Sequence, residues 1–280
     1  MGARLVHVLP LVLLLAARAA AGRDLLYSSF ADDPGRYLDA VRGGPPPAAR
    51  APAGRVAGGI VTHHFLAAPL MVEFFDASAC TARPRLVILI GPDHERLGPR
   101  GISLSALDWR TPFGVLACDR EAVGGLRQAL RLPPGDDAAV FFREHSTGLL
   151  VPFIRLYFPD ARVLPILLSD RAGPRRIAAL AGALAPLLGD DALVILSMDF
   201  SHGKAPAEAA ALDRDAMAAI VGCDLARVRD LDVDCHAGLE LMLRLFRGRP
   251  VAFGTRTDSA AIAGRPLADC TSYVTTYFLR

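Results

Sequence analysis

The chain has 280 residues, of which 52% are hydrophobic, which suffices for a sizeable core and argues against a disordered protein. Its 31 basic and 29 acidic residues leave a formal charge of only +2, and Lys204 is the sole lysine. Because the arginines are scattered among acids, with no basic run and no interleaved aromatics, nucleic acid is not an expected partner.

The first residues have the layout of a secretory signal peptide. Arg4 supplies a positive charge, Leu5 to Ala17 form an apolar run, and Ala19-Ala20-Ala21 offer a small-residue cleavage site before Gly22. The apolar run is too short for an ordinary transmembrane helix, and no other stretch is long enough to span a bilayer. We therefore expect a signal peptide over residues 1–21 and no integral membrane domain. Cleavage implies a periplasmic or extracellular protein, and retention of the leader implies a cytoplasmic one.

Residues 22–54 are predicted to form an N-terminal segment with a Pro/Gly-rich connection, and residues 55–280 a single α/β domain. Short apolar runs with β-branched residues predict buried strands; these are Ile60–Val61, Leu86–Ile90, Val163–Leu168 and Leu193–Leu196. Predicted helices are Arg36–Val41, Arg120–Ala129, Pro174–Leu188, Glu208–Val221 and Ala237–Arg247. This alternation predicts a largely buried mixed sheet flanked by helices.

Three of the predicted strands run into polar residues that bind metals or protons. The first leads into His63-His64, the second into Asp93-His94, and the fourth into Asp199-Phe200-Ser201-His202. In open α/β sheets, ligands bind outside the carboxyl ends of the strands. We therefore expect His63, His94, Asp199 and His202 to converge on one site.

Two further features leave alternatives open. Neighbours on an extended strand face opposite sides, so only one of His63 and His64 can point into the site. Glu144-His145-Ser146 follows a polar break in the sequence. This segment is either a helix start with a structural Glu–His pair or part of the site.

Six segments resemble, in order, those of the Memo-like family, and most of all its bacterial branch called AmmeMemoRadiSam system protein B. The segments are GIVTHHFLAAPL, LVILIGPDH, LDWRTPFGVLACD, REHSTGLLVPFIRLYFPDARVLPILL, LVILSMDFSHG and TSYVTTYF. The resemblance implies a fold similar to that of the class III extradiol ring-cleaving dioxygenases. Those enzymes hold a non-haem iron with two histidines and a carboxylate.

The resemblance also implies a ligand set. Memo proteins have two histidines and a cysteine in the corresponding pocket, and these match His63, His94 and Cys235, with His236 as a competitor for the third position. Asp199 and His202 match the family's nearby Asp and His, and are expected to orient ligands or act as acid–base groups. The expected cofactor is a transition metal, iron, copper or zinc. Thr62 departs from the family pattern, which usually has proline there.

Three functions follow from this resemblance. The first is a metal-binding Memo-like protein that acts on an unidentified small molecule or peptide. The second is an iron-dependent oxidoreductase or dioxygenase for a small aromatic substrate. The third is a non-catalytic protein whose vestigial pocket binds a ligand or peptide.

Overall fold

The computed structural model describes residues 25–27, 32–44, 52–265 and 268–280, so the expected leader lies outside the described residues. The strands are β1 Leu26–Tyr27, β2 Val56–Val61, β3 Leu86–Pro92, β4 Ile102–Leu104, β5 Trp109–Thr111, β6 Gly114–Leu116, β7 Arg162–Leu168, β8 Ala192–Ser197, β9 Val251–Asp258 and β10 Ser272–Leu279. The α-helices are α1 Pro34–Gly43, α2 Ala68–Thr81, α3 Arg120–Ala129, α4 Ala138–Arg143, α5 His145–Gly148, α6 Val151–Tyr157, α7 Pro174–Leu184, α8 Pro206–Val221, α9 His236–Leu245 and α10 Ser259–Ala263.

Seven strands form one mixed sheet in the order β4-β7-β3-β8-β2-β10-β9. The inner strands β7, β3, β8 and β2 are parallel to one another, whereas β4, β10 and β9 pair antiparallel at the two sides. Strands β1, β5 and β6 form a separate small sheet. The predicted fold class, a single α/β domain with a mixed sheet flanked by helices, is confirmed.

Helices cover both faces of the sheet, so the hydrophobic core has two parts. In β3, Val87 and Leu89 belong to the part beneath α1, α2 and α6, whereas Ile88 and Ile90 belong to the part beneath α3, α7, α8 and α9. Successive side chains of a strand point to opposite faces of the sheet, and here both faces are buried beneath helices. This explains why the inner strands are continuous apolar runs rather than alternating patterns.

The predicted helices occur where the sequence places them, with ends shifted by a few residues. Helix α2 and strands β9 and β10 were not predicted from the sequence. Helix α2 is buried on nearly every side, including the aromatic rings of Phe74 and Phe75, so its sequence shows no polar face with a helical period. No helix in the described part of the chain has the length and apolar character that crossing a bilayer requires.

Candidate metal centre

The three polar strand ends meet at one edge of the sheet. His63, His94 and Asp199 each lie two residues beyond the end of β2, β3 and β8, which are adjacent parallel strands. Together with His202, they line a cavity of about 650 Å³. The predicted convergence of these four residues is therefore confirmed.

Of the two adjacent histidines, His63 points into the protein and His64 lies at the rim. His63 is 3% exposed, and its Nδ1 lies 3.0 Å from Ser197 Oγ. The Ser197 hydroxyl donates its proton to the Ser146 carbonyl at 2.7 Å, so Ser197 Oγ accepts from His63 Nδ1–H. This hydrogen bond leaves the lone pair of Nε2 as the ligand atom of neutral His63. His64 Nδ1 instead contacts the Tyr273 hydroxyl.

Glu144 orients His94 in the same way. His94 Nδ1 donates to Glu144 Oε1 at 2.8 Å, and the His94 backbone N–H donates to Glu144 Oε2 at 2.9 Å. Again Nε2 is left to face the centre of the cluster. Gly91 allows this arrangement, because a Cβ at its position would lie only 2.6 Å from Ser146 Oγ. The Glu144-His145-Ser146 segment could not otherwise pack so closely against the end of β3.

His145 joins the cluster as its third imidazole. Its ring stacks on His94 with centroids 4.8 Å apart and stands nearly perpendicular to His63 at 5.1 Å. One ligand atom from each of His63, His94 and His145 lies within 4.8 Å of the other two. The segment whose role was left open in the sequence therefore belongs to the site.

Two aspartates lie beside His63. Asp199 Oδ1 accepts hydrogen bonds from the Thr62 hydroxyl and, at 3.2 Å, from the His63 backbone N–H. Asp199 Oδ2 lies 3.8 Å from His63 Nε2. Asp234 Oδ2 lies 3.1 Å from His63 Nε2 and 3.9 Å from His94 Nε2. Although buried, this oxygen receives no aligned hydrogen bond from any residue that the structure describes.

The cluster is electrostatically coupled. Burial lowers the pKa of His94, but Asp234 and Glu144 outweigh burial and raise that pKa to about 10. Burial raises the pKa of Glu144, but the hydrogen bond and charge of His94 hold it at about 2. Burial and the charge of His63 lower the pKa of His145 to about 4. A divalent cation at the centre would replace the protons that this concentration of negative charge attracts to His94.

The remaining predicted residues lie around this cluster. His202 is exposed on the cavity wall. Cys235 precedes α9 and is packed in the hydrophobic core, where burial and the charge of Asp234 raise the pKa of its thiol well above the usual range. His236 donates from Nε2 to the Leu231 carbonyl at 2.8 Å. Cys235 and His236 line a second cavity of about 120 Å³, whose wall also includes His94 and Asp234. Neither Cys235 nor His236 joins the two groups of converging ligand atoms among the described residues.

The sequence reading missed Asp234 and left His145 undecided. The family resemblance pointed to Cys235, so the acid immediately before it received no role. Two signals were present: Asp234 directly precedes the expected ligand, and His145 follows an acid in the segment Glu144-His145-Ser146.

Comparisons with known proteins identify the relatives of this chain. The family model described as Memo-like protein matches residues 60–231. The MEMO1 family protein PAE0818 of Pyrobaculum aerophilum is 30% identical over 154 residues, covering 53% of this chain and 54% of the relative. A MEMO1 family protein of Thermotoga petrophila is 33% identical over 122 residues, covering 42% of this chain and 43% of the relative. The chain thus aligns with about half the length of these curated relatives.

The crystal structure of the uncharacterized protein JW3007 from Escherichia coli K12 is similar in fold, with a TM-score of 0.56 and 12% sequence identity. The match covers 79% of this chain and 98% of that one. At this identity the likeness concerns the fold alone, and it is consistent with the expected extradiol dioxygenase-like architecture. Because the family model matches more than half of the chain, including β3, β7 and β8, this chain belongs to the Memo-like protein family.

Proposed function

We propose that this protein binds a transition-metal ion, iron, copper or zinc, and presents it to a small molecule in the cavity of about 650 Å³. The observation that carries the proposal is the convergence of ligand atoms from His63, His94 and His145 at the end of the sheet. Imidazole nitrogens suit zinc, copper and iron, and three of them in a cavity wall leave positions open for exchange or substrate.

The surroundings of the imidazoles fit a metal. Metal-binding histidines usually donate their other ring N–H to a carboxylate or another acceptor, which fixes the ring and its tautomer. His94 has such a partner in Glu144 and His63 has one in Ser197. The buried Asp234 Oδ2 without an aligned hydrogen bond is a second indication, because a cation at the centre would satisfy it.

A metal bound here would act as a Lewis acid or redox centre toward a molecule in the cavity. The protein's own groups would position that molecule and move protons. His202, exposed on the cavity wall, can exchange a proton with it, whereas Asp199 holds the backbone of His63 and is buried. We assign His202 an acid–base role and Asp199 a positioning role.

The cavity favours a small molecule with a flat or anionic part. Phe65 lines it, and the guanidinium of Arg36 lies 4.3 Å from the centre of the Phe65 ring. Arg36 is exposed and lines the cavity, so its guanidinium can pair there with an anionic group of a ligand. An iron-dependent oxidoreductase that acts on a small aromatic substrate is therefore the second candidate function.

Metal analysis and calorimetric titration of the full chain test the proposal. Freshly purified protein is expected to contain iron, copper or zinc at up to one ion per chain, and His94→Ala is expected to abolish binding. His236→Ala is the matched control, because that histidine lies outside the imidazole cluster and should leave binding unchanged. Equal binding by wild type and His94→Ala would refute the site.

Two measurements then separate the candidate functions. Oxygen uptake by the iron-loaded protein with simple phenols would support the oxidoreductase. A metal-free protein that stays folded and still binds small ligands with wild-type affinity would support the vestigial binding pocket instead. In both cases, far-ultraviolet circular dichroism of each variant confirms that the fold is intact.

We also propose that the protein belongs to the AmmeMemoRadiSam system protein B branch and that it is exported. Membership of the AmmeMemoRadiSam system protein B branch rests on the ordered motifs, and export rests on the charged start, apolar run and Ala19-Ala20-Ala21. Sequencing the N-terminus of the mature protein tests export. A mature chain that starts near Gly22 supports it, and retention of Met1 in a cytoplasmic fraction contradicts it.

A further inference from the structure

We infer that Asp234, and not the adjacent Cys235, supplies the anionic metal ligand beside the imidazoles of His63, His94 and His145. The inference rests on the proposed metal function and specifies its chemistry. It adds one carboxylate oxygen to the imidazole nitrogens, where the family resemblance implies a thiolate. The distinction matters because a thiolate favours soft ions such as copper(I), whereas this mixed set is typical of non-haem iron(II).

The backbone holds the Asp234 carboxylate in place. Asp234 N–H donates to the Asp199 carbonyl at 3.2 Å, and Asp199 N–H donates to Asp234 Oδ1 at 3.1 Å. These reciprocal bonds tie the segment before α9 to the residues that follow β8. One carboxylate oxygen is thereby fixed, and the other is directed at the histidines.

The free oxygen has the spacing of a metal ligand. Asp234 Oδ2 lies 3.1 Å from His63 Nε2 and 3.9 Å from His94 Nε2. Nitrogen and oxygen ligands lie about 2.0–2.2 Å from a zinc ion, so two ligands of one ion are about 3–3.5 Å apart. The first distance falls within this range and the second lies somewhat above it, so a small side-chain adjustment would bring Asp234 Oδ2 to ligand spacing from both nitrogens.

Burial without an aligned hydrogen bond is the second observation. The Asp234 side chain is only 10% exposed, and Oδ2 has no aligned hydrogen bond among the described residues. Buried carboxylates are normally paired, hydrogen-bonded or bound to a metal. Asp199 is the other nearby carboxylate, but its Oδ1 is already occupied by Thr62 and by the His63 backbone, and its Oδ2 is 3.8 Å from His63 Nε2.

The thiol of Cys235 is placed differently. Cys235 belongs to the hydrophobic core cluster, and its Sγ lies 2.6 Å from where a Cβ on Gly238 would be. Its sulfur therefore packs against the first turn of α9. Because Asp234 and Cys235 are consecutive and their side chains leave the backbone in different directions, the carboxylate faces the histidines and the thiol faces the core.

Cobalt(II) substitution of the full chain separates the two ligands, because a cobalt–thiolate bond gives an intense near-ultraviolet charge-transfer band and a cobalt–carboxylate bond does not. We expect no such band in wild type and unchanged affinity and spectrum in Cys235→Ser. Asp234→Asn should weaken cobalt binding by at least about 100-fold, beyond the loss typical of residues that only orient a ligand. Asp234→Cys should restore tight binding and create the band.

The results also separate this inference from the proposed function. A charge-transfer band in wild type that vanishes in Cys235→Ser overturns the inference, as does wild-type affinity in Asp234→Asn. If His94→Ala binds cobalt as tightly as wild type, the metal site itself is refuted. If His94→Ala loses binding and Asp234→Asn does not, only the assignment of Asp234 fails. Should Asp234→Asn not fold, the spectra of wild type and Cys235→Ser still decide between the two ligands.

Discussion

Two buried aspartates of this protein have opposite surroundings. Asp213 of α8 is 1% exposed, and both of its oxygens have partners: Oδ1 accepts from the hydroxyls of Ser201 and Ser272 at 3.3 and 2.7 Å, and Oδ2 accepts from Arg256 Nε at 2.8 Å. Asp234 has one oxygen held by a backbone N–H and a second one without an aligned hydrogen bond in the described residues.

The difference distinguishes a structural carboxylate from a functional one. A buried charge with a cation and two hydroxyls around it is compensated within the fold, so it needs no ligand. A buried charge whose nearest neighbours are two imidazole nitrogens is compensated only when those imidazoles carry protons or when a cation sits between them. Asp213 therefore contributes to the folding of β9, β10 and α8, whereas Asp234 has the surroundings of the ion ligand that we propose.

The largest expected effect is the loss of stability in Asp213→Ala. The substitution breaks the ion pair with Arg256, which keeps only its contact with Asp258. Removing one partner of a buried ion pair costs about 3–5 kcal/mol. Chemical denaturation should show this loss of stability. We expect a value at the lower end of the range because the Arg256 side chain is 28% exposed. Metal affinity per folded molecule should not change. Asp215→Ala is the matched control, since Asp215 is exposed on the same helix and its removal should cost less than about 0.5 kcal/mol. A metal-binding defect in Asp213→Ala would contradict the comparison.

Metal binding itself gives the second effect. An ion that binds only the folded protein stabilises it by about 2.7 kcal/mol at 100 times its Kd. For a domain of this size that raises Tm by roughly 5–10 °C. Differential scanning calorimetry with and without zinc should show the increase in wild type and in Asp213→Ala, but not in His63→Ala. An equal increase in His63→Ala would mean that the ion stabilises the protein from somewhere else.

Much of this architecture was accessible from the sequence, and the exceptions have physical causes. The inner strands and the convergence of His63, His94 and Asp199 follow from apolar runs that end in polar residues, a local signal. Helix α2 gives no such signal because it is buried on nearly every side. The role of Asp234 depends on its distance to residues more than 130 positions away in the chain, which only the folded arrangement creates.

A third test concerns the residue that orients His94. In Glu144→Gln the amide no longer offers two anionic oxygens to His94 Nδ1 and the His94 backbone N–H. We expect metal affinity to fall by about 10–100-fold, the usual loss when the partner of a ligating histidine is removed. Glu95→Gln is the control, because Glu95 is exposed and pairs with Arg143 at 3.0 Å. Competition against a chromophoric chelator measures the metal affinity of both variants. If Glu144→Gln binds the metal as tightly as Glu95→Gln, Glu144 has only a structural role.

The smallest expected effect concerns Asp76, a carboxylate between the two extremes. It is half-buried and has one hydrogen-bonding side-chain partner, the Tyr157 hydroxyl, which donates to Oδ1 at 2.9 Å. Burial raises the pKa of Asp76 above its ordinary value of 3.8, and the hydrogen bond from Tyr157 only partly offsets this. The folded state therefore binds the proton more tightly than the unfolded state, so stability falls as pH rises through 3.8 toward the raised pKa.

Asp76→Asn removes the destabilisation caused by ionising a half-buried carboxyl group, and it keeps an oxygen that accepts from the Tyr157 hydroxyl. We expect the variant to match wild type near pH 3, where both side chains are neutral, and to exceed it at pH 7 by on the order of 0.5 kcal/mol. Urea denaturation of both proteins at the two pH values measures the difference. A variant that is less stable than wild type at pH 7 would show that the Asp76 carboxylate is compensated in the way that Asp213 is. The contrast between the aspartates would then rest on Asp234 alone.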